Sequence, residues 1–323
     1  MKIFKDINEV KLIRNAVVTT GSFDGVHIGH KAIIDRINKL AKEINGESVL
    51  ITFYPHPRKV LYPDDEGKSL KLICSQAEKI ELLEKTNLDN LIIINFTVEF
   101  SKTSSFDFVK NIMINKIGAK IIVVGFNHYF GYNREGNYDF LYKMKETFGF
   151  SVEEIPKMEI QNETVSSTKI RKAITEGNIQ KANAYLDHYY TIRATIFNSI
   201  LNNVNFNFCN CIVDDYEKLL PPQGIYAISI YQNNFRIKGL LCIINSEYFL
   251  CNESIKELFK NFADNKNDRL LFLFLDKEYR LTENVYHKIM LHKKMGDLKS
   301  HGDISGFLQI ISEFFDSIND LIF

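Results

Sequence analysis

The sequence predicts an α/β domain followed by an all-β region that ends in a helix. In the first half, apolar β-branched runs alternate with segments whose apolar residues recur at helical spacing, a pattern typical of a parallel sheet covered by helices. In the second half, strand-like runs follow one another from residue 190 to residue 293, before an apolar helical segment at residues 304–318. A length of 323 residues allows two domains, which we predict at residues 1–187 and 188–323.

The composition argues against nucleic acids and membranes as partners. Lys and Arg total 40, as do Asp and Glu, so the chain lacks the basic excess that nonspecific nucleic-acid binding needs. No apolar run reaches the length that spans a bilayer. The five cysteines form no C-x-x-C pair, and their odd number with no signal peptide leads us to expect a cytoplasmic protein.

The first strand, turn and helix are the most informative part of the sequence. A buried strand at residues 16–20 leads through GSFDGVHIGH, residues 21–30, into a helix at residues 31–41. The turn lies at the carboxyl end of the strand, where open α/β sheets bind ligands. Its glycines allow backbone N–H groups to approach an anion, and the start of the helix adds further donors.

The two histidines of this turn are candidate phosphate ligands. His27 and His30 are three residues apart, on one face of the first helical turn, where both imidazoles can donate hydrogen bonds to phosphate oxygens. Their H-x-G-H spacing resembles the signature of the nucleotidyltransferase superfamily. Two alternatives stay open: His27 caps the helix while His30 packs beneath it, or the pair ligates zinc, for which the neighbouring sequence offers no obvious third ligand.

Three later segments carry further candidate ligand contacts. Residues 55–57, Pro-His-Pro, form a stiff loop at the end of a strand, or else a plain strand exit. Residues 125–131, GFNHYFG, follow another strand and offer aromatic rings and an amide to a flat heterocycle, or else simply pack as a turn. Residues 165–171, VSSTKIR, open a helix with hydroxyls and bases, which favours a triphosphate site over an ordinary N-cap.

Together with the first turn, these segments resemble the prokaryotic bifunctional riboflavin kinase/FMN adenylyltransferase (FAD synthetase) family, over residues 1 to about 187. The resemblance implies a Rossmann-like nucleotidyltransferase domain that converts FMN and ATP to FAD and pyrophosphate with Mg²⁺, whose protein ligands stay unknown. One departure is Tyr129, where the family often has Arg, so a phosphate contact is expected to be missing there.

The resemblance also assigns roles to individual residues. Catalytic contacts with the ATP phosphates and the transition state are assigned to His27 and His30. Other ATP contacts are assigned to Gly21, Ser22, Phe23, Gly29, Ser167, Thr168 and Arg171, the last three at the outgoing pyrophosphate. Positioning of FMN is assigned to Pro55, His56, Pro57 and Asn127.

For the second half, the resemblance implies a small six-stranded β-barrel of the riboflavin kinase type with a C-terminal helix. Residues 221–227, PPQGIYA, resemble the family's P-x-x-G-V-Y-A. Where the family has a glycine-rich flap leading into F-P-T-A-N, residues 197–210 contain no glycine, and Phe208 occupies the position of the metal-binding threonine. Only Asn210 matches, so we expect the kinase activity to be lost.

Three alternatives to this function stay open. The chain could be a fully bifunctional enzyme, or a nucleotidyltransferase acting on another phosphate monoester such as phosphopantetheine or glycerol phosphate. It could also be a non-catalytic regulator that binds a flavin or a nucleotide, although the two histidines and the VSSTKIR segment argue against this.

Overall fold

The computed structural model describes residues 1–64, 66–160, 163–199, 206–245, 269–298 and 304–321. The chain forms two compact units, Met1–Ser167 and Thr168–Phe323. These units are defined by compactness, and the boundary between functional domains at residue 187 stays a prediction. None of the helices in the described ranges combines the length and apolarity needed to cross a membrane.

The first unit is built on a six-stranded parallel sheet with the order β1-β4-β3-β2-β5-β6. Its strands are β1 (Lys2–Phe4), β2 (Ala16–Thr20), β3 (Ser48–Tyr54), β4 (Asn90–Asn95), β5 (Ala119–Gly125) and β6 (Ser151–Ile155). This confirms the predicted α/β class. The chain runs outward from β2 through β3 and β4, then returns to place β5 on the other side of β2. The loops after β2 and β5 therefore flank the point where the strand order reverses, which is where such sheets bind ligands.

Helices cover this sheet on both faces. They are α1 (Ile28–Glu43), α2 (Pro57–Leu61), α3 (Glu66–Ser69), α4 (Gln76–Glu84), α5 (Val98–Ser101), α6 (Ser105–Asp107) with the π-helical segment Phe108–Ile117, and α7 (Tyr138–Phe148). Short 3₁₀ turns lie at Ile7–Glu9 and Tyr132–Arg134, and a small antiparallel pair joins β7 (Glu159–Ile160) to β8 (Glu163–Thr164). Adjacent residues Val17 and Val18 belong to different apolar clusters, as expected for side chains on opposite faces of a central strand.

The second unit contains a closed antiparallel barrel with the order β10-β13-β12-β11-β14-β9. Its strands are β9 (Tyr190–Ser199), β10 (Phe206–Val213), β11 (Gly224–Gln232), β12 (Phe235–Asn245), β13 (Arg269–Asp276) and β14 (Tyr286–Gly296). Its helices are α9 (Ile179–Leu186), α10 (Ile304–Leu321) and α8 (Ser167–Thr175), which begins at the last residue of the first unit. The predicted barrel and C-terminal helix are both confirmed.

Phe208 is a core residue of the barrel. Its ring lies 5.5 Å from that of Phe272 and 5.3 Å from that of Phe274, measured between centroids. The same apolar cluster includes Phe307 and Ile311 of α10. Part of the stretch compared with the kinase flap, residues 200–205, lies outside the described residues.

Candidate active site

The loop between β2 and α1 has an unusual backbone. Phe23, Gly25 and Val26 have φ angles of 48°, 89° and 42°, in the left-handed region that a β-branched valine strongly disfavours. The Phe23 and Val26 side chains are nevertheless fully buried, in one apolar cluster with Ile34 of α1 and Leu50 of β3. Burial of these side chains offsets the backbone strain, so the loop is fixed in shape by its own apolar residues.

A buried carboxylate ties the same loop to the segment before α4. Asp24 is 3% exposed, and its carboxylate accepts hydrogen bonds from the backbone N–H groups of Ile73 and Cys74, both at 3.1 Å. The Cys74 Sγ in turn accepts from the Gly25 N–H at 3.0 Å. A buried charge needs such partners, and sequence reasoning missed Asp24 because they lie about fifty residues further along the chain.

Lys79 of α4 is hydrogen-bonded to the backbone of the loop between β2 and α1. Its Nζ donates to the Ser22 carbonyl at 3.1 Å, and the Thr52 hydroxyl donates to the same carbonyl at 3.2 Å. Burial lowers the pKa of Lys79, while Cys74 and Asp24 oppose that shift. The role of Lys79 was not predicted from the sequence either, because a lysine in a helix such as α4 usually lies on the solvated face.

The two histidines meet at the start of α1. His27 is the N-cap, and its Nδ1 accepts from the His30 N–H at 3.4 Å, as the capping alternative expects. The His30 ring also lies 4.5 Å from the Phe23 ring. The pKa of His30 lies well below its usual value, mainly because the ring is buried and further because of the charges of His27 and Lys79. This imidazole is therefore neutral at pH 7. Its Nδ1 is shielded and has no partner among the described residues, which leaves Nε2 as the atom that can reach a ligand.

Two of the predicted glycines lie close to the Phe23 and His27 rings, where a side chain would clash at Gly21 and make a tight contact at Gly29. A Cβ at Gly21 would lie 2.9 Å from Cε2 of Phe23, and a Cβ at Gly29 would lie 3.3 Å from Nδ1 and Cε1 of His27. The glycines therefore give the aromatic side chains the room to take their observed positions.

The structure brings one residue of the VSSTKIR segment to this loop. The Ser167 hydroxyl donates to the Asp24 carbonyl at 3.1 Å. Thr168 and Arg171 lie further along α8, in the second unit, three residues apart and therefore on one helix face. Their assigned contacts with ATP stay predictions.

A cavity of about 850 Å³ opens beside the loop. Of the residues predicted to contact substrates, it is lined by Gly21, Ser22, His56, Pro57 and Asn127. Eight Phe or Tyr side chains form much of the wall, among them Phe53, Phe96, Phe100, Phe108, Phe130 and Tyr132. Two arginines and two histidines also line the cavity, whereas the described lining residues include no Asp or Glu. The wall suits an aromatic ligand that carries negative charge.

The loop after β5 contributes an arginine, a base of this segment to which no role was assigned from the sequence. The Arg134 guanidinium lies over the ring of Tyr129, 4.7 Å from its centroid, and both residues line the cavity. A guanidinium is thus present beside the position where Tyr129 replaces the arginine frequent in the family. Next to Tyr129, His128 stacks on Phe130, and burial lowers its pKa to about 4.

No cluster of three or more His, Cys, Asp or Glu side chains with metal-binding geometry occurs in the part of the chain that the structure describes. The His27–His30 pair therefore has no third protein ligand in these ranges to complete a zinc site.

Comparison with known proteins places the chain in a family. The family model for FAD synthetase matches residues 10–169. The bifunctional riboflavin kinase/FMN adenylyltransferase of Buchnera aphidicola from Acyrthosiphon pisum is 31% identical, over 92% of this chain and 90% of the relative. The protein of the same name from Listeria monocytogenes is 32% identical, over 70% of this chain and 69% of the relative.

A solved structure shares the fold over almost the whole length. The crystal structure described as a macrolide-efflux protein from Streptococcus pneumoniae matches with a TM-score of 0.80 at 20% identity, covering 99% of both chains. At that identity the likeness concerns the fold alone. The match to the family model and the extended similarity to its named enzymes show that this chain belongs to the FAD synthetase family.

Proposed function

We propose that this chain transfers AMP from ATP to FMN, giving FAD and pyrophosphate. The observation that carries the proposal is the cavity beside Gly21 and Ser22. Its aromatic wall suits an isoalloxazine ring, and its two arginines, with no Asp or Glu among the described lining residues, suit a phosphate. The names of the curated relatives include this activity.

The reaction needs charge neutralisation and alignment more than a protein nucleophile. An oxygen of the FMN phosphate attacks the α-phosphorus of ATP, the bond from that phosphorus to the bridging oxygen breaks, and pyrophosphate leaves with the bonding electrons. Both reactants are anions, so fixed donors lower the barrier by stabilising the charge that develops. We assign His27 and His30 to the ATP phosphates, with backbone contacts from Gly21, Ser22, Phe23 and Gly29.

The remaining assignments follow the resemblance. Ser167, Thr168 and Arg171 would bind the outgoing pyrophosphate, while Asn127 and the Pro55–Pro57 loop would position FMN. Mg²⁺ would be held mainly by phosphate oxygens and water, a mode usual for this ion with nucleotides, and it would shield the phosphate charge. This mode needs no cluster of protein ligands, and the described ranges contain no group of three or more His, Cys, Asp or Glu side chains placed to hold a metal ion.

We also propose that riboflavin is not phosphorylated. A kinase needs a hard oxygen ligand for Mg²⁺ and close-approaching backbone at the γ-phosphate. The side chain of Phe208 carries no oxygen and packs against Phe272 and Phe274. The curated relatives are named as bifunctional, so activity at this barrel is the main alternative.

The test is to incubate the purified chain with ATP and Mg²⁺ plus FMN, riboflavin, phosphopantetheine or glycerol phosphate, then to measure pyrophosphate and separate the flavins. We expect pyrophosphate and FAD with FMN alone. Pyrophosphate with another acceptor but not with FMN would overturn the substrate assignment, and no pyrophosphate with any acceptor would favour a binding protein. FMN formed from riboflavin, and abolished in Asn210→Ala, would overturn the loss of kinase activity.

A further inference from the structure

The peptide unit between Ser22 and Phe23 is held in one orientation. Its carbonyl oxygen accepts from Lys79 Nζ at 3.1 Å and from the Thr52 hydroxyl at 3.2 Å. A trans peptide is planar, so its C=O and N–H bonds point in opposite directions. The Phe23 N–H therefore points away from Lys79 and Thr52.

The N–H groups of this peptide and of the one before it are available. The backbone N–H groups of Ser22 and Phe23 have no hydrogen-bond partner within the described ranges of the chain. Ser22 also lines the cavity, and its neighbour Gly21 does the same. Successive N–H groups in a loop with a left-handed residue form a concave site that suits an anion, and Phe23 has a φ of 48°.

We propose that Lys79 is a positioning residue of the phosphate site: together with Thr52 it turns the Ser22 carbonyl inward, so that the Phe23 N–H faces a phosphate of bound ATP. This inference rests on the proposed adenylyltransferase function. With the opposite orientation, the carbonyl oxygen would face the phosphate and repel it.

The surroundings of Lys79 suit this role. The residue is 6% exposed, and it lies in the first turns of α4, whose start is fixed by the capping box of Ser75 and Glu78. The charged or titratable groups facing its ammonium are Asp24, Cys74 and His30. A buried ammonium held between these groups and a backbone carbonyl has little freedom to move, which is what positioning requires.

The experiment compares Lys79→Met, Lys79→Arg and Thr52→Val with wild type. Lys85→Met, which removes an exposed lysine at the end of the same helix, is the matched control. Calorimetry measures binding of α,β-methylene ATP, flavin fluorescence measures binding of FMN, and turnover of FMN to FAD gives kcat.

We expect Lys79→Met to weaken binding of the ATP analogue at least about tenfold, the scale of a hydrogen bond to a charged group. The same change should lower kcat roughly 10²-fold. FMN binding should change less than about threefold. Lys79→Arg, which keeps the charge and the donors, should recover part of the loss, and Thr52→Val should weaken the analogue about threefold to tenfold.

The inference is overturned if Lys79→Met binds the analogue as tightly as Lys85→Met does. It is also overturned if Lys79→Met loses affinity for FMN and for the analogue by the same factor. If Lys79→Met fails to fold by circular dichroism, Thr52→Val decides: unchanged binding of the analogue overturns the inference. If wild type makes no FAD from FMN but binds the analogue, the proposed function fails while the binding comparison still tests Lys79.

Discussion

The imidazole rings of His27 and His30 lie stacked, with centroids 3.6 Å apart and planes 18° apart. Two imidazolium cations in this arrangement would repel each other, and the low pKa of His30 removes that repulsion at neutral pH. A neutral His30 retains one N–H, so the pair can still donate to phosphate oxygens. The stack therefore favours hydrogen bonding by a rigid pair over a contact between two full positive charges and ATP.

His30→Ala should lower the rate of FMN conversion to FAD by roughly 10²–10³-fold, the scale for losing one fixed donor where charge develops. The measurement is steady-state turnover with both substrates saturating, and circular dichroism checks the fold. A folded variant within a few-fold of the wild-type rate would return His30 to a packing role.

Stability should fall as pH is lowered, because of the buried histidines. His128 has a pKa of about 4, below the value for an unfolded chain, so its contribution to stability is present above about pH 6.5 and is lost as pH falls toward 4. Denaturant unfolding should show a loss on the order of 1–2 kcal/mol between about pH 7 and pH 5. His128→Phe should show a smaller loss, and equal pH dependence in the two proteins would contradict this account.

Asp24→Asn should destabilise the first unit by about 1–3 kcal/mol, since the amide keeps one acceptor and brings a donor toward a backbone N–H. The same change should reduce adenylyl transfer, because Asp24 anchors the loop that carries Phe23 and Val26. Chemical denaturation and turnover measure the two effects. Asp35→Asn, an exposed site on α1, is the matched control, and similar values for both variants would remove Asp24 from this role.

Arg134→Met should weaken FMN binding about tenfold and leave riboflavin binding nearly unchanged, because only FMN carries a phosphate. Fluorescence titration of the two flavins provides the comparison. Arg14→Met, at an exposed position outside the cavity, controls for the change in net charge. Equal weakening of both flavins would point to a packing role for Arg134 on Tyr129.

Local patterns predicted the parts of the fold that depend on neighbouring residues. The apolar runs of β2, β3 and β5 and the barrel strands could be predicted from the sequence. Strands β1 and β6 could not, because β1 has only three residues and β6, SVEEI, is an edge strand with two acidic residues. The glycines and histidines of the candidate site stand in one sequence motif. Asp24 and Lys79 could not be assigned, because their roles depend on partners 49 to 57 residues away in sequence.

The most direct test of the central claim follows the phosphorus atoms of ATP. The purified chain is incubated with Mg²⁺, FMN and ATP radiolabelled at either the α- or the γ-phosphorus, and the flavins are separated from pyrophosphate. Adenylyl transfer predicts that α-label appears in FAD and γ-label in pyrophosphate alone. A flavin fraction that contains no α-label, or one that contains γ-label, would contradict the account.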